Sequence, residues 1–521
     1  MGFLPLNLRA LIFILIAFTG AWFYLYRIYD DREELKKWAQ LWLVIICTAY
    51  IIPSFWGIII AVCAIGFVYI PKSDIHRVTM YFLLMPLIAA RIGYSLDFLP
   101  GINYLFEINY IDLLILVILL PGLINTIKET DENAKTGFLN SSIDFFVISY
   151  SVLISVLQIS RQPSITAGLR EVFLNFVNIL VPYYAISRSV TSLKQFISIY
   201  KAIVYSSILV ACVGILEQMT KWSFYTVLPQ HLQVPYYRFI AISSYRSGFM
   251  RIKSLIGEEI PLGFFLMISI GAAFFFRHVK SKKKLANPLI LLLLASALYF
   301  TDSRGAQLGT MLLLFIYLLF MLKSPVLKFL LLGGTALIFS AFMASDTTIE
   351  SIDQHGTFIY RIELVQNAIP VINDNYWFGT NDFWEAEELE DSRQGQGIID
   401  IVNTYLLVAL VSGMSGFILF SLIFLSSALS VFRKIRSIRS SEYEENRVVG
   451  VILLSMLISA MFVIATVSPV GHIPYYCWAL VGLCSAFSRL SENEFMERQV
   501  EEIEDIEKIE QEYFSYLNSR R

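Results

Sequence analysis

The chain has 521 residues, 56% of them hydrophobic and 15% aromatic, with a formal net charge of −2 and a mean hydropathy of +0.64. These values exclude an ordinary soluble globular protein. The near-neutral charge points to no particular charged partner, and no nucleic-acid patch, nucleotide-binding motif or metal-ligand set is present.

Apolar runs of about 17–22 residues recur along the whole length, each able to cross a bilayer core of roughly 30 Å. They do not alternate, which excludes a β-barrel. The expected class is an all-α polytopic integral membrane protein of about 13–15 transmembrane helices with a large periplasmic loop. Spans are expected near 10–26, 39–53, 55–70, 79–96, 108–127, 143–160, 169–187, 198–216, 256–276, 286–302, 304–322, 327–345, 401–431, 448–467 and 470–488. Residues 39–70 read either as two helices broken at Pro53 or as one long tilted helix. No cleavable signal peptide is expected, because the first apolar run, Ala10–Tyr26, lacks a small-residue cleavage site before the charged stretch that follows it. The five cysteines, Cys47, Cys63, Cys212, Cys477 and Cys484, all fall inside apolar runs and read as small buried hydrophobes.

This pattern divides the chain into N-terminal membrane helices (1–216), a loop (217–255), membrane helices (256–345), a large loop (346–400), C-terminal membrane helices (401–488) and an acidic tail (489–521). Lys/Arg clusters at 27–37, 277–284 and 433–447 fall on one side when the spans are counted through, which makes that side cytoplasmic. The two long loops then lie outside, and the tail inside. The loop at 346–400 is too long for a plain connector, and Tyr360–Ile372 within it has the spacing of a short amphipathic helix. The tail repeats apolar residues every three to four positions, as a solvated helix or a partner-binding one would.

Chemistry is expected where polar chain meets the bilayer. The stretch Phe378–Gly416 runs from a Gly- and acid-rich loop through Arg393 and Asp400 into an apolar helix at about Ile401. Arginines also stand at outer helix edges, where the positive-inside rule disfavours them: Arg251 before SLIGEEIPLG and Arg304 in TDSRGAQLG. Burying arginine in a membrane costs about 2.5–3.5 kcal/mol on translocon scales, so these two need a partner or a task. A guanidinium forks onto phosphate oxygens. The plain alternatives are an Arg304–Asp302 pair, and for Arg251 a snorkelling position or a pair with Glu258 or Glu259. Arg161, Arg238, Arg246 and Arg361 read as ordinary interface residues. Asp400 reads as a helix cap or as a general base. Glu258 and Asp382 are further base candidates, and Asn403 reads as a sugar ligand or a helix–helix contact. His472 and His355 read as structural and loop residues.

Three stretches together resemble the O-antigen ligase/polymerase family: TDSRGAQLG, RIKSLIGEEIPLGFFL and GQGIIDIVNTYLLVALVSGMSG, in that order and with the large loop before the third. The resemblance covers roughly residues 195–435. It implies a glycosyltransferase of the bacterial inner membrane with its active site facing the periplasm. Its substrate would be an undecaprenyl-diphosphate-linked oligosaccharide, with Arg251 and Arg304 on the diphosphate and no metal or cofactor. Ligases of the family carry His-Asn at the start of the third stretch, whereas this chain has Val402–Asn403. That departure favours a polymerase, closest to bacterial exopolysaccharide polymerases, over a ligase acting on lipid A core. It leaves Asp400, Glu258 and Asp382, in that order, as base candidates, with Arg393 and Asn403 facing the glycan. A chain-length regulator is a candidate partner. A lipid-linked oligosaccharide flippase or polysaccharide exporter is the competing class; it would place charges mid-span, and here Arg91 is one of few.

Overall fold

The computed structural model describes residues 4–29, 31–72, 76–95, 107–131, 139–234, 244–246, 248–278, 288–333, 357–393, 399–438 and 444–490. The acidic tail and His355 lie outside the described residues. The protein is an all-α polytopic membrane protein, and among the described residues nine helices are long and apolar enough to cross a bilayer.

In chain order the bundle begins with α1 (Leu6–Ile28), α2 (Arg32–Ile51) and α3 (Phe55–Ala64). Ile52-Pro53-Ser54 separates α2 from α3, so residues 39–70 form two helices; proline has no N–H to continue the first. Next come α4 (Arg77–Leu84), α5 (Tyr110–Leu114) running on into α6 (Leu120–Asp131), and α7 (Ser142–Arg161). Then follow α8 (Ile165–Asn175) continuing into α9 (Val181–Ser189), α10 (Leu193–Thr220), the short α11 (Leu228–His231), and α12 (Glu259–Phe275). The second half holds α13 (Pro288–Thr301), α14 (Arg304–Met321), the loop helix α15 (Thr357–Asp374), α16 (Thr404–Ser437), α17 (Glu444–Ile464) and α18 (Ile473–Arg489). Residues 325–333 are helical where a further span is expected.

α10 is the hub. It is buried on nearly every face and packs against α1, α4, α12 and α13. One core runs through the bundle; a second, small core of Leu364, Ala368, Val371, Phe383, Leu389, Ile399, Ile401, Leu406 and Leu410 joins α15 to the start of α16.

Two expectations about helices are corrected. The span expected at 79–96 is helical only over Arg77–Leu87, about 16 Å at 1.5 Å per residue, because Pro86 ends it. Arg91 therefore sits past the helix, beside the strand β1 (Gly93–Ser95) that pairs antiparallel with β2 (Glu107–Asn109), and is not mid-span. The apolar helix expected from Ile401 starts at Thr404 and is interrupted at Gly413, whose φ of 64° and ψ of −169° are not helical.

Candidate functional site

The site is built at the end of the bundle where α10 and α13 finish and α12, α14 and α16 begin. Arg251 leaves a hairpin of β3 (Tyr245–Arg246) and β4 (Phe249–Met250). Its backbone N–H donates to the Ser244 carbonyl at 2.8 Å, and its Nε–H donates to the Thr301 carbonyl at 2.9 Å. The Ile252 N–H donates to the Phe300 carbonyl at 3.1 Å, so this strap lies along the end of α13. Glu217, fully buried at the end of α10, holds the strap from behind. Its carboxylate accepts from the backbone N–H groups of Phe224 (2.9 Å), Lys253 (3.0 Å) and Ser254 (2.7 Å), and from Ser223 Oγ (3.2 Å). Those amides would otherwise be buried without acceptors.

Arg304 is the first residue of α14, directly after the turn at Asp302, whose φ is +48°. The helix N-terminus adds the positive end of its dipole to the guanidinium. Close packing fixes this turn: a Cβ on Gly305 would lie 2.7 Å from Thr466 Oγ1, and one on Gly309 would lie 2.6 Å from Val463. Only glycine lets α14 approach α17 this closely.

Two further arginines join these. The Arg246 guanidinium is held below its ordinary pKa first by burial and then by Arg304, with Arg251 and Arg361 adding and Asp302 opposing. Arg361, at the start of α15, donates from Nη2 to the Thr466 carbonyl at 3.2 Å, the same residue that touches Gly305. Arg304, Arg251 and Arg361 therefore all lie within the field of Arg246, as does Asp302. The pairings that would have explained Arg251 and Arg304 away are absent among the described residues. Asp302 lies 3.8 Å from Arg246 Nε, Glu258 pairs with Arg91, and Glu259 lies 3.6 Å from Lys253 Nζ and accepts from Ser244 Oγ.

Asn403 caps α16, its Oδ1 accepting from the N–H groups of Tyr405 (3.0 Å) and Leu406 (3.1 Å). The cap expected of Asp400 thus falls to Asn403. Asp400 is exposed, its Oδ1 accepting from Ser468 Oγ at 2.8 Å and its carbonyl from Tyr360 OH at 3.0 Å. Ser468 stands two residues beyond Thr466, so Asp400 and Arg361 hang on one turn between α17 and α18.

Glu258 precedes α12 and is partly buried, its side chain 14% exposed and lying against Gly471 of the same turn. Burial pushes its carboxyl up from the usual 4.5 to about 6, against the pull of Arg91. His472 is buried with Nε2 bonded to the Met85 carbonyl at 3.2 Å, and burial lowers its pKa to about 4. It is a structural residue.

The loop before α16 threads into the helix break. The Met414 N–H donates to the Tyr376 carbonyl (2.7 Å), the Ser415 N–H to that of Trp377 (3.3 Å), and the Thr380 N–H to that of Leu410 (2.8 Å). Arg161, at the end of α7, locks the junction by donating to the carbonyls of Val411 (2.6 Å), Phe378 (2.6 Å) and Gly379 (2.8 Å). Asp382 lies at this end of the loop, within the field of Arg161. Arg393 pairs with Glu390 at 2.7 Å on the exposed loop surface. The structure thus gathers Arg251 and Arg304 with Arg246 and Arg361, sets Asp400 on the adjoining turn, and leaves Asp382 and Arg393 elsewhere on the loop.

Arg161, Arg246 and Arg361 read as ordinary interface residues in the sequence, and Glu217 did not stand out at all. Arg361 carried a usable signal, since it stands beside the apolar stripe of an amphipathic segment. The backbone amides that Glu217 serves are invisible in a sequence.

Fold and site together define a helical integral membrane protein with a cationic cluster at one end of its bundle. Residues 289–421 match the model of the family described as O-antigen ligase, so the resemblance to the O-antigen ligase/polymerase family holds over this stretch. The match takes in α13, the Arg304 turn, the long loop and the start of α16 through the break; Arg251 precedes it. A search of curated proteins finds no match.

Proposed function

We propose that the protein is a polysaccharide polymerase of a bacterial inner membrane. It transfers a glycan from an undecaprenyl-diphosphate carrier to a sugar hydroxyl of a second lipid-linked repeat unit, on the periplasmic face. The observation that carries this reading is the gathering of Arg251 and Arg304 with Arg246 and Arg361 while the nearby carboxylates Glu258 and Glu259 are paired with other cations. A diphosphate is the kind of anion that such a group of guanidiniums can hold by forked hydrogen bonds.

In the reaction the acceptor oxygen attacks the anomeric carbon as the bond from that carbon to the diphosphate oxygen breaks. Guanidiniums aimed at the departing diphosphate stabilise the charge that builds there. The acceptor hydroxyl must lose its proton to a base within hydrogen-bond reach. Asp400 is favoured because Ser468 ties it to the turn that also anchors Arg361. Glu258 is second, and Asp382, at the far end of the loop, is third. Arg393 and Asn403 face the glycan. A ligase using the residue before Asn403 is disfavoured, because Val402 cannot accept a proton. A polysaccharide chain-length regulator is a proposed partner.

The test is Arg251→Ala and Arg304→Ala, each assayed for polymer in a deletion strain with protein level in the membrane measured alongside. Both should abolish polymer while leaving single lipid-linked repeat units. Normal polymer length and yield in both would overturn the diphosphate assignment.

A further inference from the structure

Helix α15 is tied near its start to the end of one spanning helix and just after its end to the break inside another. At its start Arg361 bonds Thr466, two residues past the end of α17; just after its end the Tyr376 carbonyl bonds Met414 at the break in α16. A helix pinned at these two points packs along the first turns of α16, sharing the small core with Leu406 and Leu410. The level of the break follows from length. From Gly413 to Arg433, the first charge in α16, is about 20 residues, or about 30 Å of helix, which is one hydrocarbon thickness. The break and its Arg161 lock thus stand at the hydrocarbon boundary.

α15 carries two apolar faces. Leu364, Ala368 and Val371 fill the small core, whereas Ile362, Val365 and Ile369, spaced three and four residues apart, are exposed, Ile369 by 50%. The exposed row leads into Tyr376, Trp377 and Phe378, with Trp377 62% exposed. These aromatics begin where two other exposed apolar rows end: Val152, Val156 and Ile159 on α7, which stops at Arg161, and Ile418, Leu425 and Leu429 on α16 below Gly413. Rows on spanning helices face lipid, and the aromatic patch continues them at the depth where tryptophan and tyrosine collect.

We infer that α15 and Tyr376–Phe378 form an interfacial element bedded in the lipid leaflet at the arginine end, with Ile362, Val365, Ile369 and Trp377 in contact with acyl chains. Its occupant is the phospholipid surface, as for interfacial amphipathic helices. The neighbouring face of the same helix carries Arg361, so the bedding fixes the cationic cluster at headgroup level. The lipid contact holds whichever acceptor the enzyme uses.

The test uses the full chain in liposomes. Spin labels on Ile369→Cys and Trp377→Cys should collide several-fold more with oxygen, relative to a water-soluble nickel chelate, than labels on Glu363→Cys and Glu388→Cys. Ratios equal to those controls would overturn the inference, as would label–label broadening that marks a second copy on this face. Should the cysteine variants fail to fold, quenching by brominated phosphatidylcholine is compared between the unaltered chain and Trp377→Phe. Loss of a strongly quenched fraction in Trp377→Phe supports the lipid contact; unchanged quenching overturns it.

Discussion

Gly413→Ala strikes the junction between the loop and α16. The native φ of 64° and ψ of −169° lie in a region that is essentially glycine-only, where another residue costs about 1–3 kcal/mol. A Cβ there would also lie 2.4 Å from the Trp377 carbonyl carbon, which is backbone and cannot swing aside. The strain is relieved if α16 straightens through position 413. Straightening gives Met414 and Ser415 helical acceptors and breaks their bonds to Tyr376 and Trp377, so the loop is released. At about 1.4 kcal/mol per factor of ten, the loop amides of Gly379 and Thr380 should then exchange about 5–150-fold faster. Hydrogen exchange by mass spectrometry on the detergent-solubilised protein reads this directly. Peptides from α10 and α12 should keep their protection. Unchanged protection at 376–380 would refute the claim that the break is what holds the loop.

Arg161→Ala removes three charge-assisted bonds to carbonyls, each worth about 1.5–3 kcal/mol, and should loosen the same peptides; Arg161→Lys should not restore them, because an ammonium cannot fork across two chain segments. Glu217→Ala leaves three buried backbone N–H groups without acceptors at about 1–3 kcal/mol each, so thermal unfolding should shift down clearly, and a wild-type midpoint would contradict the strap's dependence on this carboxylate. Glu258 titrates near 6 when folded and near 4.5 when unfolded, so its contribution favours folding below pH 4.5 and is lost as pH rises through 6. Between these limits the unaltered chain should lose about 2 kcal/mol that Glu258→Gln does not lose, measured by unfolding at pH 4.5 and pH 7.

The run of apolar segments was enough to read the class, because a bilayer demands the same length and apolarity from every span. The split at Pro53 could be narrowed only to two alternatives, since a proline can bend a membrane helix as well as end it. The break at Gly413 was missed for the opposite reason. A glycine inside an apolar run reads as helix packing, and only the docked loop turns it into an interruption. At the site, Arg251 and Arg304 stood out because each is an arginine at an outer helix edge. Arg246 and Arg361 did not, since their position depends on a hairpin and a loop helix folding back over α13 and α17. Arg91 was misplaced because the apolarity of 79–96 continues past Pro86, beyond the end of the helix.

The close packing at Gly305 has a consequence for biosynthesis. The arginine cluster rests on Thr466, and Asp400 on Ser468, so both supports lie in the turn between α17 and α18. A ribosome-bound chain that has already inserted α12, α13 and α14 still lacks the wall against which these side chains are set. The cationic site is therefore completed only once α17 and the turn after it are in place, and a chain truncated before α17 would carry all four arginines without the frame that gathers them.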